Sequence, residues 1–420
     1  MTENKNTKQM TGGKAKLAII LVTSLFFVWG LTMNLVNALK TPMENYMQLS
    51  GTESALLQVA YYGAYFFISI PAANLARKKG YKAGILLGLA LFIAGSFLTV
   101  PATISTNYPL FLLAMFVIAA GATSLETNCN PYITKLGDPE KESTRINLAQ
   151  SFNGVGNIVG PLILGGIVGA TVKPGNSGFD EAKLSFLTST KNIYLIIAIV
   201  LIAVFATFIF VKLPTPPGDV EEDENVHEPT KVIIKKLMNK PHFVLGLVAE
   251  FIFIGLQVAG MSLFSAYAVG QWEGLTAGQA TQYLGILSLL FTVGRFVTTP
   301  LMNKFKAGKI LGVYMLLSAI FFAAVAMGLG KVSVIGFIIS YLFISIGFPT
   351  IYSLALHDIQ GSQAKVAASM LTMSIVGAAL IPLLMSAIAD ASNLQIALAL
   401  AVPGFLYCSW YGFKGSVKSN

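Results

Sequence analysis

Three charged residues stand inside long apolar stretches of this sequence: Glu126, Glu250 and Arg295. At the centre of a membrane span each costs about 2.5–3.5 kcal/mol on insertion scales, so such residues are functional candidates by default. Glu126 lies in Ser124-Leu125-Glu126-Thr127-Asn128-Cys129-Asn130-Pro131. Burial penalises the charged form of a carboxyl group there, which lets it take a proton, or donate to a sugar hydroxyl when protonated. The competing reading is a structural carboxylate bonded to a neighbouring helix, and we take the functional one. Glu250 is a second proton-coupling candidate, its alternative being a pair with a basic group near the end of its span. Arg295 stands nine residues before Lys304, so its stem can carry the charge toward the polar surface, a structural role.

Uncharged polar side chains form a second layer. Asn34 and Asn37 are one helical turn apart, and Asn147, Gln150, Asn153 and Asn157 recur at intervals of three or four, which places each set on one helix face. Gln257, Gln58, Tyr61 and Tyr62 lie in other apolar runs. Amides both donate and accept, as a neutral polyol requires, and the aromatic faces of Trp29, Tyr61 and Phe348 suit the C–H face of a sugar. Such amides also serve helix–helix bonding at roughly 0.6 kcal/mol apiece. A stripe of four in one span points to a polar cavity.

No catalytic constellation accompanies them. His227, His242 and His357 are scattered, Cys129 and Cys408 lie in apolar runs, and no metal-ligand spacing or phosphate-binding glycine loop occurs. Neither a cofactor nor a metal is expected, and ATP cannot power the chain through a site of its own.

The elements that hold these residues follow from hydropathy. The 420 residues are 55% hydrophobic and only 11% charged, against about 25% charged in a soluble domain. Charge-free windows of the length a spanning helix needs lie at 17–39, 54–76, 83–125, 146–172 and 192–211. The third holds two spans if Ser105-Thr106-Asn107-Tyr108-Pro109 turns, the second of them running on to about Thr134. The second half gives apolar windows at 242–270 with Glu250 inside, 280–303 with Arg295 inside, and 310–330, 332–356, 366–389 and 393–413. The expected fold is an all-α polytopic membrane protein of twelve transmembrane helices in two six-helix halves, 17–211 and 242–413. Between them 212–241, with Pro214, Pro216, Pro217 and the run Glu221-Glu222-Asp223-Glu224, reads as a solvated linker. Segments 1–16 and 414–420 are tails, and the first apolar run reads as a retained span rather than a cleaved signal.

Lysine and arginine favour cytoplasmic loops. With twelve spans, 22 of these residues fall on the side of both termini and the linker and 5 on the other, Arg295 being inside a span. Both termini are therefore expected in the cytoplasm, in a plasma membrane of bacterial inner-membrane type. The net charge of +9 is a matter of topology, and no nucleic-acid partner is needed.

The halves echo each other. Gly63, Pro71, Asn74, Lys78 and Lys79 correspond to Gly294, Pro300, Asn303, Lys304 and Lys306; Gly156 and Pro161 to Gly377 and Pro382; Pro131 to Pro349. Parallel six-span repeats are a known transporter plan, with the substrate site near the bilayer midplane.

Four segments carry a resemblance: Ser124-Leu125-Glu126-Thr127 with Asn130-Pro131, the run Arg145-Ile146-Asn147-Leu148-Ala149-Gln150-Ser151-Phe152-Asn153, Gly294-Arg295-Phe296, and Phe348-Pro349-Thr350-Ile351-Tyr352-Ser353-Leu354. With them the chain resembles, over nearly all of 17–413, the fucose–galactose–glucose permease (L-fucose/proton symporter-like) branch of the major facilitator superfamily. The resemblance implies a carrier of a neutral hexose or deoxyhexose working by alternating access. It implies that Glu126 contacts substrate and supports proton coupling, that Asn34 lines the sugar site, and that Gln150 and Asn153 are sugar ligands. Asn37, Gln257 and Tyr61 complete the expected substrate set. The family's fucose symporter has an aspartate where Asn37 stands, and Glu250 stands where a glutamine is expected. Coupling then runs through Glu126 or Glu250, through sodium, or is absent, as in a uniporter. A non-transporting sugar sensor and a membrane enzyme are the readings from other classes, the first opposed by the short linker and tails, the second by the missing catalytic set.

Overall fold

The computed structural model describes residues 13–49, 51–168, 172–216 and 228–416, and among these no strand occurs. The chain runs through α1 (Gly13–Tyr46), α2 (Gly51–Ile104), α3 (Tyr108–Lys135), α4 (Glu142–Val168), α5 (Phe179–Phe210), α6 (Thr230–Met238), α7 (Pro241–Gln271) and α8 (Ala277–Thr298). It continues with α9 (Ala307–Ala326), α10 (Lys331–Ile344), α11 (Gly347–Ala355), α12 (Gly361–Met373), α13 (Gly377–Ala391), α14 (Leu394–Ala399) and α15 (Ala401–Trp410). A bilayer leaves backbone polar groups no water to bond, so a helix, which satisfies them internally, is what an apolar run must form.

Nine described helical segments are long and apolar enough to cross a membrane. Val59–Ile104 is one of them and holds two crossings, because Gly80 at φ +76 breaks the helical path within α2; that conformation is readily open only to glycine. The shorter apolar helix Leu17–Met33 within α1, and α4, which holds most of the apolar window 146–172, account for the other two of the twelve crossings expected. The segment α10–α11 is 78% buried over its apolar window and α3 61%, whereas α5 is only 28% buried. Large apolar side chains such as Phe67, Ile199 and Leu383 are exposed, the pattern of a surface solvated by lipid.

Two elements exceed the expected spans. α5 begins at Phe179, between the expected spans 146–172 and 192–211, and α6 forms inside the linker. In α6, Thr-Lys-Val-Ile-Ile-Lys-Lys-Leu-Met, Ile233 and Leu237 are one turn apart and buried while Lys235 and Lys236 are exposed. That apolar stripe, not composition, decides its structure. The acidic run 221–224 lies outside the described residues.

The chain divides into two compact units, Met1–Leu136 with Phe152–His227, and Gly137–Ser151 with Glu228–Asn420. In the first, α3 packs on the second leg of α2 along glycines. A Cβ on Gly95 would stand 2.6 Å from Ile118 N, and one on Gly88 2.9 Å from Gly121 O. Small residues of this kind let backbones approach where no hydrophobic force drives helices together. In the second unit α7 packs on α13, and α9 on α15 and on the π-helical turn Tyr411–Gly415.

The internal repeat survives at the level of contact for one glycine pair. A Cβ on Gly156 of α4 would strike Phe27 O of α1, and a Cβ on Gly377 of α13 would strike Phe251 O of α7. The other glycine pair differs: Gly294 lies against Leu342 O and Ser345 Oγ, while Gly63 faces open space.

Candidate substrate and proton site

α3 presents two polar faces, and its periodicity sorts them. Ser124 Oγ donates to Gly84 O at 2.9 Å, and Asn128 Nδ2 donates to Ser124 O at 2.7 Å while its carboxamide lies on Gly84. Glu126 is two residues from each, about 200° around the helix, and so points away from the second leg of α2. On its own face stand Thr123, Thr127 and Asn130, spaced as i, i+3, i+4 and i+7 with Glu126, and all four are buried. The Thr123 and Thr127 hydroxyls have no protein partner.

The first leg of α2 brings tyrosines to this carboxylate. Tyr61 and Tyr65, one turn apart, are 2% and 1% exposed. Their ring centroids are 6.0 Å apart, and Tyr62 lies 5.6 Å from Tyr61. Both hydroxyls interact electrostatically with Glu126, with that of Tyr65 directed toward the carboxylate without closing a hydrogen bond of good geometry. Tyr194 stands beside Tyr61 and meets Met115 Sδ at 3.5 Å.

The α4 stripe is engaged with protein. In the second unit Asn147 Nδ2 donates to Ser143 O at 2.8 Å and to Thr350 Oγ1 at 3.1 Å, with Ser143 and Ser353 joined at 2.6 Å. In the first, Asn153 Nδ2 donates to Phe26 O at 3.2 Å, and Asn157 Nδ2 to Asn153 Oδ1 at 3.2 Å. Gly30 lies directly on Asn153, so this amide fastens α1 to α4. Gln150 is 3% exposed.

Arg295 departs from the sequence expectation. It is 4% exposed and does not reach the surface. Its Nε donates to Ser345 O at 2.6 Å and its Nη1 to Gln150 O at 2.7 Å, with the guanidinium 4.6 Å from the Phe291 ring. Ser345 lies where α10 ends before α11. A helix C-terminus leaves carbonyls unsatisfied and favours a cation, and that local demand outweighs snorkelling.

The two carboxylates have different surroundings. Glu250 is fully buried in α7, beside Cys408 and Tyr411. Its helix is fixed there by bonds from Cys408 Sγ to Ala249 O at 3.7 Å and from Tyr411 Oη to His242 O at 3.3 Å. Gln257, also on α7, is half-buried with its Oε1 unpartnered, while its backbone oxygen accepts from Tyr341 Oη at 2.7 Å. Trp29 packs on Phe26 at 4.2 Å and Phe348 near Tyr352 at 6.0 Å, both buried. The side chains of Asn34, Asn37 and Gln58 lie outside the described residues, as does His227. Tyr65 and Thr123 escaped the sequence reading, and Thr127 entered it only as part of the run around Glu126, with no role of its own. The spacing of Tyr65 from Tyr61 and of the threonines from Glu126 was the signal that marks them.

A polytopic helical protein with carboxylates, amides and hydroxyls sealed among its spans has the make-up of a solute carrier. The chain matches the Major Facilitator Superfamily over residues 21–382. It is 33% identical over 405 residues to a glucose/galactose transporter of Brucella abortus, covering 95% of this chain and 94% of that one. It is 31% identical over 418 residues to the L-fucose-proton symporter of Escherichia coli K12, covering 97% and 95%. The crystal structure of the E. coli fucose:proton symporter FucP superposes with a TM-score of 0.86 at 31% identity, covering 96% of this chain and 99% of that one. The proton:xylose symporter XylE, at 14% identity and a TM-score of 0.66, shares the fold. The chain belongs to the major facilitator superfamily, in its fucose–galactose–glucose permease branch.

Proposed function

We propose that this chain carries a neutral hexose or deoxyhexose of the fucose, glucose or galactose type across a bacterial inner membrane by alternating access, coupled to protons through Glu126. The observation that carries the reading is the α3 face on which a buried carboxylate shares its side with two unpartnered threonine hydroxyls and faces two tyrosines. Donors and acceptors left open around a titratable group suit a hydroxyl-rich, uncharged solute. The names of the relatives support the same substrate class. The α4 amides Gln150 and Asn153, Asn34 and Asn37 of α1, and Gln257 of α7 complete the proposed substrate set. The lysine and arginine asymmetry supports cytoplasmic termini and a cytoplasmic linker at 212–241.

Asn37 favours a second reading. An amide does not titrate, so if the aspartate of the related symporter is indispensable to coupling, this chain is a uniporter. Uptake of labelled L-fucose, D-glucose and D-galactose into proteoliposomes, with and without an imposed pH gradient, tests both. Accumulation that follows the pH gradient supports proton symport, and Asn37→Asp then steepens its pH dependence. Equal sugar inside and outside under a verified gradient refutes coupling in favour of uniport, and accumulation that follows sodium alone refutes both. Preference for a carboxylate or phosphate ester refutes the substrate class.

A further inference from the structure

Two buried hydroxyls beside a buried carboxylate demand an explanation. An unpartnered hydroxyl inside a protein is destabilising, and native structures hold few of them. Tyr61 and Tyr65, on adjacent turns of the first leg of α2, each hold a hydroxyl that closes no well-formed hydrogen bond, the Tyr61 hydroxyl facing Tyr65 and the Tyr65 hydroxyl facing Glu126. The rings are tilted 41° to each other with centroids 6.0 Å apart, so the two side chains run as neighbours along one face. Packing alone would be served by phenylalanine, the residue at the exposed positions Phe66 and Phe67 of the same helix. Hydroxyls are present where Glu126 is, and absent where the helix turns outward.

The geometry points to Tyr65 as a positioning residue for Glu126: its hydroxyl donates to the ionised carboxylate and releases it when the carboxyl group takes up a proton, with the Tyr61 hydroxyl turning to donate to Tyr65. This rests on the reading that Glu126 carries the coupled proton. Among the described residues, the titratable groups that face the carboxylate include Tyr65 and Tyr61 from α2 and Cys129 from α3 itself, with Tyr62 and Tyr194 interacting with Tyr61. Protonation makes the carboxyl a donor, so it no longer requires Tyr65 as one, and the tyrosine keeps its own proton throughout. The proton exchanged by Glu126 comes from and returns to water. The open hydrogen bonds of the two tyrosines belong, on this account, to the state in which the carboxyl is protonated.

A donor to the charged form of a carboxylate favours that form. Removing the donor therefore moves the protonation midpoint of Glu126 to higher pH. The experiment is pH-difference infrared spectroscopy on the full chain reconstituted in lipid, reading the C=O stretch of the protonated carboxyl and assigning it with Glu126→Gln. Tyr65→Phe keeps the ring and should raise the midpoint by about one to two pH units, the size expected for one hydrogen bond to a charged group. Tyr61→Phe should raise it less, and serves as the test at one remove should Tyr65→Phe fail to fold. A native band that titrates with a midpoint neither substitution moves overturns the proposal and leaves the proton reading of Glu126 standing. A larger shift for Tyr61→Phe than for Tyr65→Phe overturns the assigned order. If no band that depends on Glu126 titrates over the accessible pH range, the proton reading itself falls, and this proposal with it.

Discussion

Glu126→Gln separates function from packing most sharply. The side chain is 7% exposed, and an ionised carboxylate at mid-span costs about 2.5–3.5 kcal/mol on insertion scales. Glutamine has nearly the same shape and still bonds to hydroxyls, but it does not titrate. The substitution therefore removes the electrostatic cost without opening a cavity, so the midpoint of thermal unfolding in detergent should not fall below that of the native chain. Transport should respond in the opposite sense. One proton moving through 100 mV is worth about 2.3 kcal/mol, which corresponds to roughly 50-fold accumulation of a co-transported neutral sugar. In vesicles holding that potential, the native chain should approach this ratio, and Glu126→Gln should hold sugar inside and outside at equal concentration. The assay is steady-state labelled sugar in proteoliposomes, with the potential verified independently. A variant that still accumulates sugar to the native ratio, with the same pH dependence, refutes the assignment of the proton to Glu126. A variant that melts well below the native chain shows the carboxylate to be structural.

Glu250→Gln should keep the native accumulation ratio in the same vesicles, because Glu250 is buried beside Cys408 and Tyr411; collapse of accumulation would transfer the coupling role to it. Gly156→Val and Gly377→Val drive side chains into the backbones of α1 and α7, so each should destabilise the protein by about 1–3 kcal/mol. Gly63→Ala meets nothing within 4 Å and should stabilise by about 0.5–1 kcal/mol through helix entropy, both read from unfolding midpoints. Arg295→Lys replaces a fork that spans Ser345 O and Gln150 O with a single ammonium on a flexible stem. The loss of one charge-assisted bond should cost about 1.5–3 kcal/mol, and an unchanged unfolding midpoint would show that lysine reaches both carbonyls.

Much of this protein was legible in one dimension. The transfer cost of apolar and charged groups is summed along the chain, so long charge-free windows announce the spans before any contact is known. The same arithmetic singled out Glu126, Glu250 and Arg295, because a charge in such a window stands out whatever its neighbours are. The family followed from four short segments. Where the linear signal is weak, the reading stopped short: α6 rests on Ile233 and Leu237, too brief a stripe to register within a charged, proline-flanked linker.

Tertiary structure decided what each of those residues touches. Two glycines matched by the repeat, Gly63 and Gly294, look alike in sequence, yet one faces open space and the other a helix backbone. Glu126 and Glu250 are both lone carboxylates in apolar runs, yet one faces tyrosine hydroxyls on α2 and the other a thiol and a tyrosine of the closing segment. Arg295 was expected to reach outward, and a broken helix with a free carbonyl holds it inside instead. The physical reason is common to all three. Insertion depends on the composition of a segment alone, whereas the partner of a buried polar group depends on which helix faces it and at what rotation, and that is set by close packing among residues far apart in the chain.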